Sequence, residues 1–381
     1  MGVFIGPLMG GVTNVLLPVL RDDFTATLGQ VTAVVSAYMV PFVLLQLVSG
    51  TIADRYSRGG TVTGGCAAFA ASSALAAGAP NIEIFLAARV VQGAANAFVT
   101  PIIMATLGDV VPAPRLGRAL GVFTTVNTAG LLLAPLLGGA FAETNWRLVY
   151  VLLTAVCSAL AAYYAWWYRR LPASGQPDKG SESTGLAMLV RGLANRRLAL
   201  LCAAGWLGYA GINGIPFIVA LHLEAPLQLG AAQSGAVLAG FGLAGMLAAP
   251  WGGRAADRWG RRTVVATGTL GTALCTVLLG AAPGPWSFAV GYLVAGGAAA
   301  FMWSGLHTMA VEALPAQRGG ASSVYNTFRF AGAACAPVLY TPLYAATGAA
   351  PVFWAAAGAS LLILVPMSWH SPATAEQQAE I

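Results

Sequence analysis

Long apolar runs are the feature that most limits what this chain can form. Hydrophobic residues make up 57% of its 381 residues and charged residues 8%, whereas soluble domains carry roughly 25% charged residues. A run of about 20 apolar residues crosses a bilayer as a helix, because a helix satisfies its own backbone hydrogen bonds in lipid. The sequence predicts twelve such spans, at 3–20, 30–52, 61–79, 83–108, 119–141, 148–168, 198–220, 231–252, 263–282, 287–311, 321–344 and 351–369.

A repeat divides these spans into two halves. The segment Gly50–Arg58 reappears as Gly253–Arg261, with Gly, Ala, Asp and both Arg in register at an offset of 203 residues, and Asp109 matches Glu312 at the same offset. Two matches at one offset predict an internal duplication with six spans in each half. We expect an N-terminal bundle over 1–170, a cytoplasmic linker with an amphipathic helix over 171–197, a C-terminal bundle over 198–370 and a cytoplasmic tail over 371–381.

The distribution of basic residues predicts the orientation. If the N-terminus is cytoplasmic, fifteen Lys and Arg lie in inward loops, and only Arg21 and Arg147 lie in outward loops. This pattern predicts a multi-pass protein of a bacterial inner or plasma membrane with both termini in the cytoplasm. No cleavable signal is expected, and the net charge of +6 reflects topology rather than a nucleic-acid surface. The five cysteines stand singly, without metal-ligand spacing, so neither a metal nor a cofactor is expected.

Three motifs carry a family resemblance over the whole chain. The first is the repeated Gly-x-x-x-Asp-Arg-x-x-Arg loop after spans 2 and 8, and the second is Arg89-x-x-Gln92-Gly93 in span 4. The third runs from Gly130 through Ala134 and Pro135 to Gly139 in span 5, and is similar to an antiporter motif. Together they resemble the 12-helix drug:proton antiporter branch of the major facilitator superfamily. The resemblance implies an all-α membrane fold, with 12 transmembrane helices in two pseudo-symmetric six-helix bundles, and no enzymatic activity.

The resemblance implies a secondary active transporter that works by alternating access. Proton-coupled efflux of a small amphipathic organic molecule or drug, by a monomer in the lipid bilayer, is the first expectation. Uptake or facilitated diffusion of a metabolite or organic anion on the same fold is the alternative, since no carboxylate lies in span 1 and two Arg lie within spans. An enzyme is disfavoured, because the three His residues share no metal spacing and no nucleophile motif is present.

A substrate cavity is implied by the resemblance between spans 1, 4, 7 and 10. The polar and aromatic side chains on these and the neighbouring spans form a mostly neutral set, which suits a weakly polar substrate better than a polyanion. The candidate cavity residues are Asn14, Tyr38, Gln46, Arg89, Gln92, Asn96, Asn127, Trp206, Tyr209, Asn213, Trp303, His307, Tyr325, Asn326 and Arg329.

Charges within the spans are the strongest functional candidates. A cation in the bilayer interior costs a few kcal/mol unless it is paired or hydrated. We expect Arg89 to organise the cavity, so that Arg89→Ala stops transport while folding stays intact; a purely structural pairing to helix carbonyls is the alternative. Arg329 is near enough to a helix end to reach the interface. All Asp and Glu lie in loops, in the tail or near span ends. Proton coupling is therefore assigned to Asp22, Asp23 or His307, with Arg89 tuning a nearby group.

Gating is assigned to the repeated loops and to span 5. Gly50 and Gly253 are expected to permit close helix packing. The resemblance implies that Asp54 and Asp257 face the N-termini of spans 11 and 5, and four Arg near Asp257 predict a fuller charge network there. The small residues of span 5 are expected to pack tightly against span 8. The remaining gating candidates are Arg55, Arg58, Asp109, Arg118, Arg258, Arg261, Gly130, Pro135, Gly138 and Gly139.

Overall fold

The computed structural model describes residues 4–103, 106, 111, 113–170, 185–314 and 318–368. In this part of the chain every regular element is helical. The helices are α1 Ile5–Asp23, α2 Leu28–Tyr56, α3 Arg58–Ala77, α4 Ile82–Ala97, α5 Ala113–Ala142, α6 Arg147–Arg170, α7 Gly185–Ala194, α8 Arg196–Ala210, α9 Pro216–Glu224, α10 Ala231–Trp259, α11 Arg261–Leu279, α12 Pro285–Glu312, α13 Arg318–Thr347, α14 Ala349–Leu361 and α15 Leu364–Ser368.

These helices follow the predicted spans. Among the described residues, nine helical segments are long and apolar enough to cross a membrane. The three other predicted spans correspond to α1, to the pair α8 and α9, and to α13. Helix α7 forms where the linker predicts an amphipathic helix, and it packs against α2, α8 and α13.

The seventh span is broken near its middle. Helix α8 ends at Ala210, four residues form a turn, and Pro216 occupies the first turn of α9, where its missing amide hydrogen costs nothing. The turn is closely packed, because a Cβ on Gly211 would lie 2.5 Å from Ser360 Oγ and one on Gly214 would lie 2.5 Å from Ala336 Cβ. The turn is therefore held between α14, on the side of Gly211, and α13, on the side of Gly214.

The two halves repeat their helix packing at the sequence offset of 203 residues. A Cβ on Gly93 would collide with the carbonyl oxygen of Tyr38, and a Cβ on Gly296 would collide with that of Phe241. Both members of the second pair lie 203 residues after those of the first. A backbone approach this close requires glycine in each half. The internal duplication predicted from the loops is thus confirmed in the packing of the helices.

The two copies of the repeated loop differ in backbone conformation. Gly260, between α10 and α11, has a φ of 86°, which favours glycine. Ser57, in the equivalent place, has a φ of 174°, an extended conformation that any residue adopts. Its Oγ accepts a hydrogen bond from the Gly60 amide at 2.9 Å and caps α3. The departure of Ser57 from the motif therefore has a local structural reason.

The halves meet along two seams, α5 against α10 and α2 against α13, and α1 also contacts α9. We call the end that carries the α1–α2 and α5–α6 connections the predicted outer end, following the orientation expected from charge. In the described part of the chain three hydrogen bonds join the halves towards this end: Ser36 Oγ to the Ala334 carbonyl oxygen at 2.9 Å, Thr341 Oγ1 to Thr32 Oγ1 at 2.9 Å, and the Ala232 amide to Glu143 Oε1 at 3.1 Å.

Candidate functional site

The most deeply buried charge lies inside the N-terminal half. Arg89 of α4 is 1% exposed, and its Nη1 donates to Gln92 Oε1 at 2.8 Å while its Nε donates to the Val34 carbonyl oxygen at 3.5 Å. Its guanidinium carbon lies 4.3 Å from the centroid of the Tyr38 ring. Gln92 Nε2 in turn donates to Ser73 Oγ at 3.1 Å. The network therefore ties α2, α3 and α4 together.

The contacts described for Arg89 all belong to its own half. Besides the α2 and α4 partners, its Nη1 lies 3.7 Å from the sulfur of Met9 in α1. The equivalent residue of the C-terminal half is Tyr292, whose ring packs against that of Phe241 at 5.0 Å. Tyr38, Arg89 and Gln92 are thus brought together, but within the bundle rather than facing the other half. Asn96, one turn further along α4, accepts from Thr100 Oγ1 at 3.4 Å.

A second group of candidate residues meets in the C-terminal half. Arg329 Nη1 is in close hydrogen-bonding contact with His307 Nε2. The guanidinium carbon of Arg329 lies 4.7 Å from the centroids of both the Tyr209 and the Phe330 rings. The His307 ring contacts Tyr325 at 5.4 Å between centroids. We call this group the Arg329 cluster; its members are Tyr209, Trp303, His307, Tyr325, Arg329 and Phe330.

Helical spacing explains why the Arg329 cluster converges. Tyr325 and Arg329 are four residues apart on α13, and Trp303 and His307 are four apart on α12, so each pair lies on one helix face. The broken span supplies the third side, where Trp303 Nε1 donates to Asn213 Oδ1 at 3.1 Å. Five predicted cavity residues of this half, together with Asn213, are therefore brought together.

The Arg329 cluster extends to the N-terminal half and carries unsatisfied donors. The ring of Phe330 lies 5.2 Å from that of Phe42 in α2, in an edge-to-face arrangement across the seam. Both the Tyr325 hydroxyl and Arg329 Nε are buried without a hydrogen-bond partner. Neither Phe42 nor Phe330 is predicted from the sequence, because an isolated Phe in an apolar span carries no functional signal. Two sequence clues were available: Phe42 lies one helical turn before the candidate Gln46, and Phe330 directly follows the candidate Arg329.

Other predicted cavity residues lie outside both groups. Asn14 on α1 and Gln46 on α2 are half-buried, and Asn14 Oδ1 and Gln46 Nε2 lack hydrogen-bond partners. Asn127, Trp206 and Asn326 are half-buried on α5, α8 and α13. Substrate contacts by these residues stay predictions.

The acidic candidates for proton coupling lie at the predicted outer end. Asp23 Oδ2 accepts from Arg147 Nη2 and from Trp146 Nε1, each at 3.1 Å. Asp22 is exposed near Glu224. Burial, and secondarily the carboxylate of Asp22, raises the pKa of Glu224 above its ordinary value. Of the titratable candidates, only His307 lies in the Arg329 cluster.

The motif of span 5 packs on two different helices. A Cβ on Gly139 would lie 2.6 Å from the Ala231 carbonyl oxygen, and one on Gly235 would collide with the Pro135 carbonyl oxygen. The close contact predicted between spans 5 and 8 is thus confirmed at these positions. The other two glycines of the motif face α1: a Cβ on Gly130 would lie 2.8 Å from the Phe4 carbonyl oxygen, and one on Gly138 would lie 2.9 Å from that of Val12.

The second repeated loop differs from expectation in its packing. A Cβ on Gly253 would meet no heavy atom within 4 Å, so close packing does not require glycine there. The close approach occurs at Gly252 instead, where a Cβ would lie 2.9 Å from Ser304 Oγ. The expectation for Gly253 is wrong because the face of α10 that meets α12 carries residue 252, one position earlier.

The charges of that loop also differ from expectation. Asp257 and Arg258 are exposed. Arg261 forms an ion pair with Glu312 of α12, and Arg254 lies over the Trp251 ring at 5.2 Å. Arg262 also points away from Asp257, since its Nη2 donates to the carbonyl oxygens of Met367 and Ser368. The four Arg therefore do not gather around Asp257, because neighbouring helices of the same half bind Arg261 and Arg262, and Arg254 lies over a ring of its own helix.

The first repeated loop is described only in part. Gly50 lies within α2, and Arg58 begins α3. The side chains of Asp54, Arg55 and Arg118 lie outside the described part of the chain, as does the whole of Asp109. Their gating roles stay predictions.

The chain is similar to known transporters. A family model described as the Major Facilitator Superfamily matches residues 1–223 and 201–380. The chain is 25% identical over 393 residues to an uncharacterized MFS-type transporter of Mycobacterium tuberculosis, with 87% of this chain and 67% of that protein covered. It is 35% identical over 144 residues to the lincomycin resistance protein of Streptomyces lincolnensis, covering 37% of this chain and 29% of that protein.

A solved structure matches the fold. The crystal structure of a D-xylose–proton symporter matches with a TM-score of 0.76 at 16% identity, over 98% of this chain and 97% of that one. The family model covers both halves, and the described helices repeat their packing from one half to the other. The chain therefore belongs to the major facilitator superfamily of multi-pass membrane transporters.

Proposed function

We propose that this protein exports a small amphipathic organic molecule by alternating access, with transport coupled to protons. The observation that carries the proposal is the position of the Arg329 cluster. The cluster lies where α13 meets α2. The described hydrogen bonds between the halves all lie between the cluster and the predicted outer end. Alternating access requires a site between the two halves, which separate first at one end of the protein and then at the other.

The chemistry of the cluster and one relative support export of an amphipathic molecule. Tyr209, Trp303 and Phe330 offer aromatic surface, and Arg329, His307 and Tyr325 offer polar atoms beside it. An apolar wall with a few converging polar groups is typical of small-molecule sites. The lincomycin resistance protein, similar over 37% of this chain, is named for resistance to a small organic compound.

Organic-anion uptake or facilitated diffusion is the second candidate. In the described part of the chain the two ion pairs are Arg147 with Asp23 and Arg261 with Glu312, and neither includes Arg329. An interface cation without a carboxylate partner favours an anionic cargo in either direction of transport.

Flux in proteoliposomes tests the proposal. We expect efflux of ethidium or of 2-naphthoate from the lumen to acidify the lumen, because protons enter as the cargo leaves, and to depend on an imposed pH gradient. His307→Gln is expected to remove the dependence on the gradient, since His307 is the titratable candidate within the cluster. Glu83→Gln, which changes a surface carboxylate that is not a coupling candidate, is the control expected to retain it. Flux of both compounds that ignores the gradient would replace this proposal with facilitated diffusion.

Glu143 is expected to stabilise closure of the predicted outer end. Its carboxylate accepts from the Ala232 amide in the first turn of α10, where the helix dipole favours an anion. Glu143→Gln should shift the population away from the outer-closed state about two- to fivefold, because such contacts contribute roughly 0.3–1 kcal/mol. Distances between spin labels on exposed Thr144 and Ala225, one in each half, report the shift.

Glu83→Gln is the matched control for Glu143→Gln. Glu83 is a carboxylate at the same end, and it accepts from Gln30 Nε2 at 3.4 Å within its own half. It should leave the label distances unchanged. Equal shifts in the two variants would show that a loss of surface charge, rather than the contact across the seam, governs closure.

A further inference from the structure

Arg329 is a cation with a buried donor that has no acceptor among the described residues. Its Nη1 contacts His307 Nε2, while its Nε is buried and unpartnered. Tyr325, one helical turn before it, is 1% exposed and its hydroxyl is also unpartnered. Two buried donors that converge on one helix face without an acceptor are costly, so their arrangement indicates a missing acceptor group.

The two Arg residues within the spans differ in this respect. Arg89 donates to Gln92 Oε1 and the Val34 carbonyl oxygen, and it is enclosed in one half. Arg329 is only half-buried and its cluster reaches the other half through Phe330 and Phe42. When the halves separate along the seam between α2 and α13, a ligand between them can therefore reach Arg329, whereas Arg89 is already satisfied by its own half.

The rings around Arg329 restrict how a ligand approaches. Tyr209 and Phe330 each lie 4.7 Å from the guanidinium carbon, so aromatic rings already occupy the space near it. The unpartnered Nε leaves the edge of the planar group for hydrogen bonding. Guanidinium edges bind carboxylates through parallel N–H to oxygen hydrogen bonds. The nearby Tyr325 hydroxyl supplies a further donor to the same anion.

We infer that the Arg329 cluster binds an aromatic carboxylate, whose anionic group accepts from Arg329 Nε and Tyr325 and whose ring packs on Tyr209, Trp303 and Phe330. The inference rests on the proposed function for the location of the site and adds the charge and shape of the cargo. His307 acts as a positioning residue: its Nε2 accepts from Arg329, which holds the guanidinium edge in place. An accepting Nε2 requires the neutral ring with its proton on Nδ1.

Matched probes test the charge. We would measure binding of benzoate, 2-naphthoate and indole-3-carboxylate, and of the three corresponding amides, to the full chain in nanodiscs by calorimetry. The acids are expected to bind about 10- to 100-fold more tightly than the amides, the range for hydrogen bonds to a charged group. Cyclohexanecarboxylate, which keeps the charge without the aromatic ring, should bind more weakly than benzoate.

Variants locate the effect. Arg329→Gln is expected to remove the preference for the acid, Arg329→Lys to restore part of it, and Tyr325→Phe to weaken the acid about 3- to 10-fold. Arg254→Gln is the matched control, because Arg254 also lies over an aromatic ring but faces outward on α10. It should leave the preference unchanged.

The outcomes separate this inference from the proposed function. Failure of all three acids to bind, equal binding of acids and amides, or an unchanged preference in a folded Arg329→Gln protein would each overturn the inference. Gradient-driven flux of ethidium could still be present in that case and would support the proposed export. Preferential binding of the acids without flux of any probe would support the inference and contradict the proposed function.

Discussion

Arg89→Ala is expected to lower the free energy of unfolding of the protein by about 2–4 kcal/mol, the range for truncating a large buried side chain. Arg89 is 1% exposed, and its removal leaves a cavity between α1, α2 and α4 and takes the donor from Gln92 Oε1. The loss should appear in a thermal melt of the protein in mild detergent. This differs from the sequence-based expectation that folding would stay intact, because the structure gives Arg89 partners throughout its own bundle.

Two variants sharpen the Arg89 experiment. Arg170→Ala removes a cation that also lies over an aromatic ring of the same half, Trp166 at 4.2 Å, but at an exposed position. It should change stability by less than about 0.5 kcal/mol. Arg89→Met fills most of the volume and should recover part of the loss. If Arg89→Ala melts at the same temperature as the parent protein but no longer transports, Arg89 does not stabilise its bundle, and the expectation that it organises the cavity is retained.

Gly235→Ala is expected to open the predicted outer end. Its Cβ would collide with the Pro135 carbonyl oxygen, a backbone atom that cannot move aside without separating α5 from α10. Overpacking at such a contact costs about 1–3 kcal/mol, which corresponds to a shift of about 5- to 150-fold away from the closed seam. The distance between labels on Thr144 and Ala225 should lengthen, and transport should slow because the outer-closed state becomes rare.

Gly242→Ala is the matched control for the seam. Gly242 lies two turns further along the same helix, and a Cβ there would meet no heavy atom within 4 Å. Its label distances and transport rate should equal those of the parent protein. A comparable opening in Gly242→Ala would mean that the flexibility of α10, and not the contact with Pro135, sets the position of the seam.

Several site predictions depended on the direction in which a side chain points, and at the second repeated loop the structure contradicts them. Four Arg are close in sequence to Asp257, yet Arg261 binds Glu312 and Arg262 binds the carbonyl oxygens at the end of α15. Partners of that kind lie about 50 and 105 residues away in the chain, so no local pattern reveals them. Successive positions on a helix point about 100° apart around its axis. This rotation is why Gly252, and not Gly253, lies against α12.

The residues of the candidate site were easier to predict than their grouping. Tyr209, Trp303, His307, Tyr325 and Arg329 were all singled out as polar or aromatic residues in apolar spans, and the structure brings them together. Tyr38, Arg89 and Gln92 were singled out on the same grounds, but they form a separate network inside one half. Composition marks a costly residue in a span, whereas only packing decides whether protein or ligand compensates it.

The sequence by itself determined the helical class, the succession of spans and the duplication into halves. Bilayer thickness fixes the length of an apolar run, and a repeat at one offset is visible without coordinates. Only the tertiary structure decided that Arg89 is satisfied within its bundle while Arg329 keeps its Nε buried and unpartnered beside the other half. The physical reason is that the energy of a buried charge depends on the atoms around it in three dimensions, and those atoms come from helices far apart in the chain.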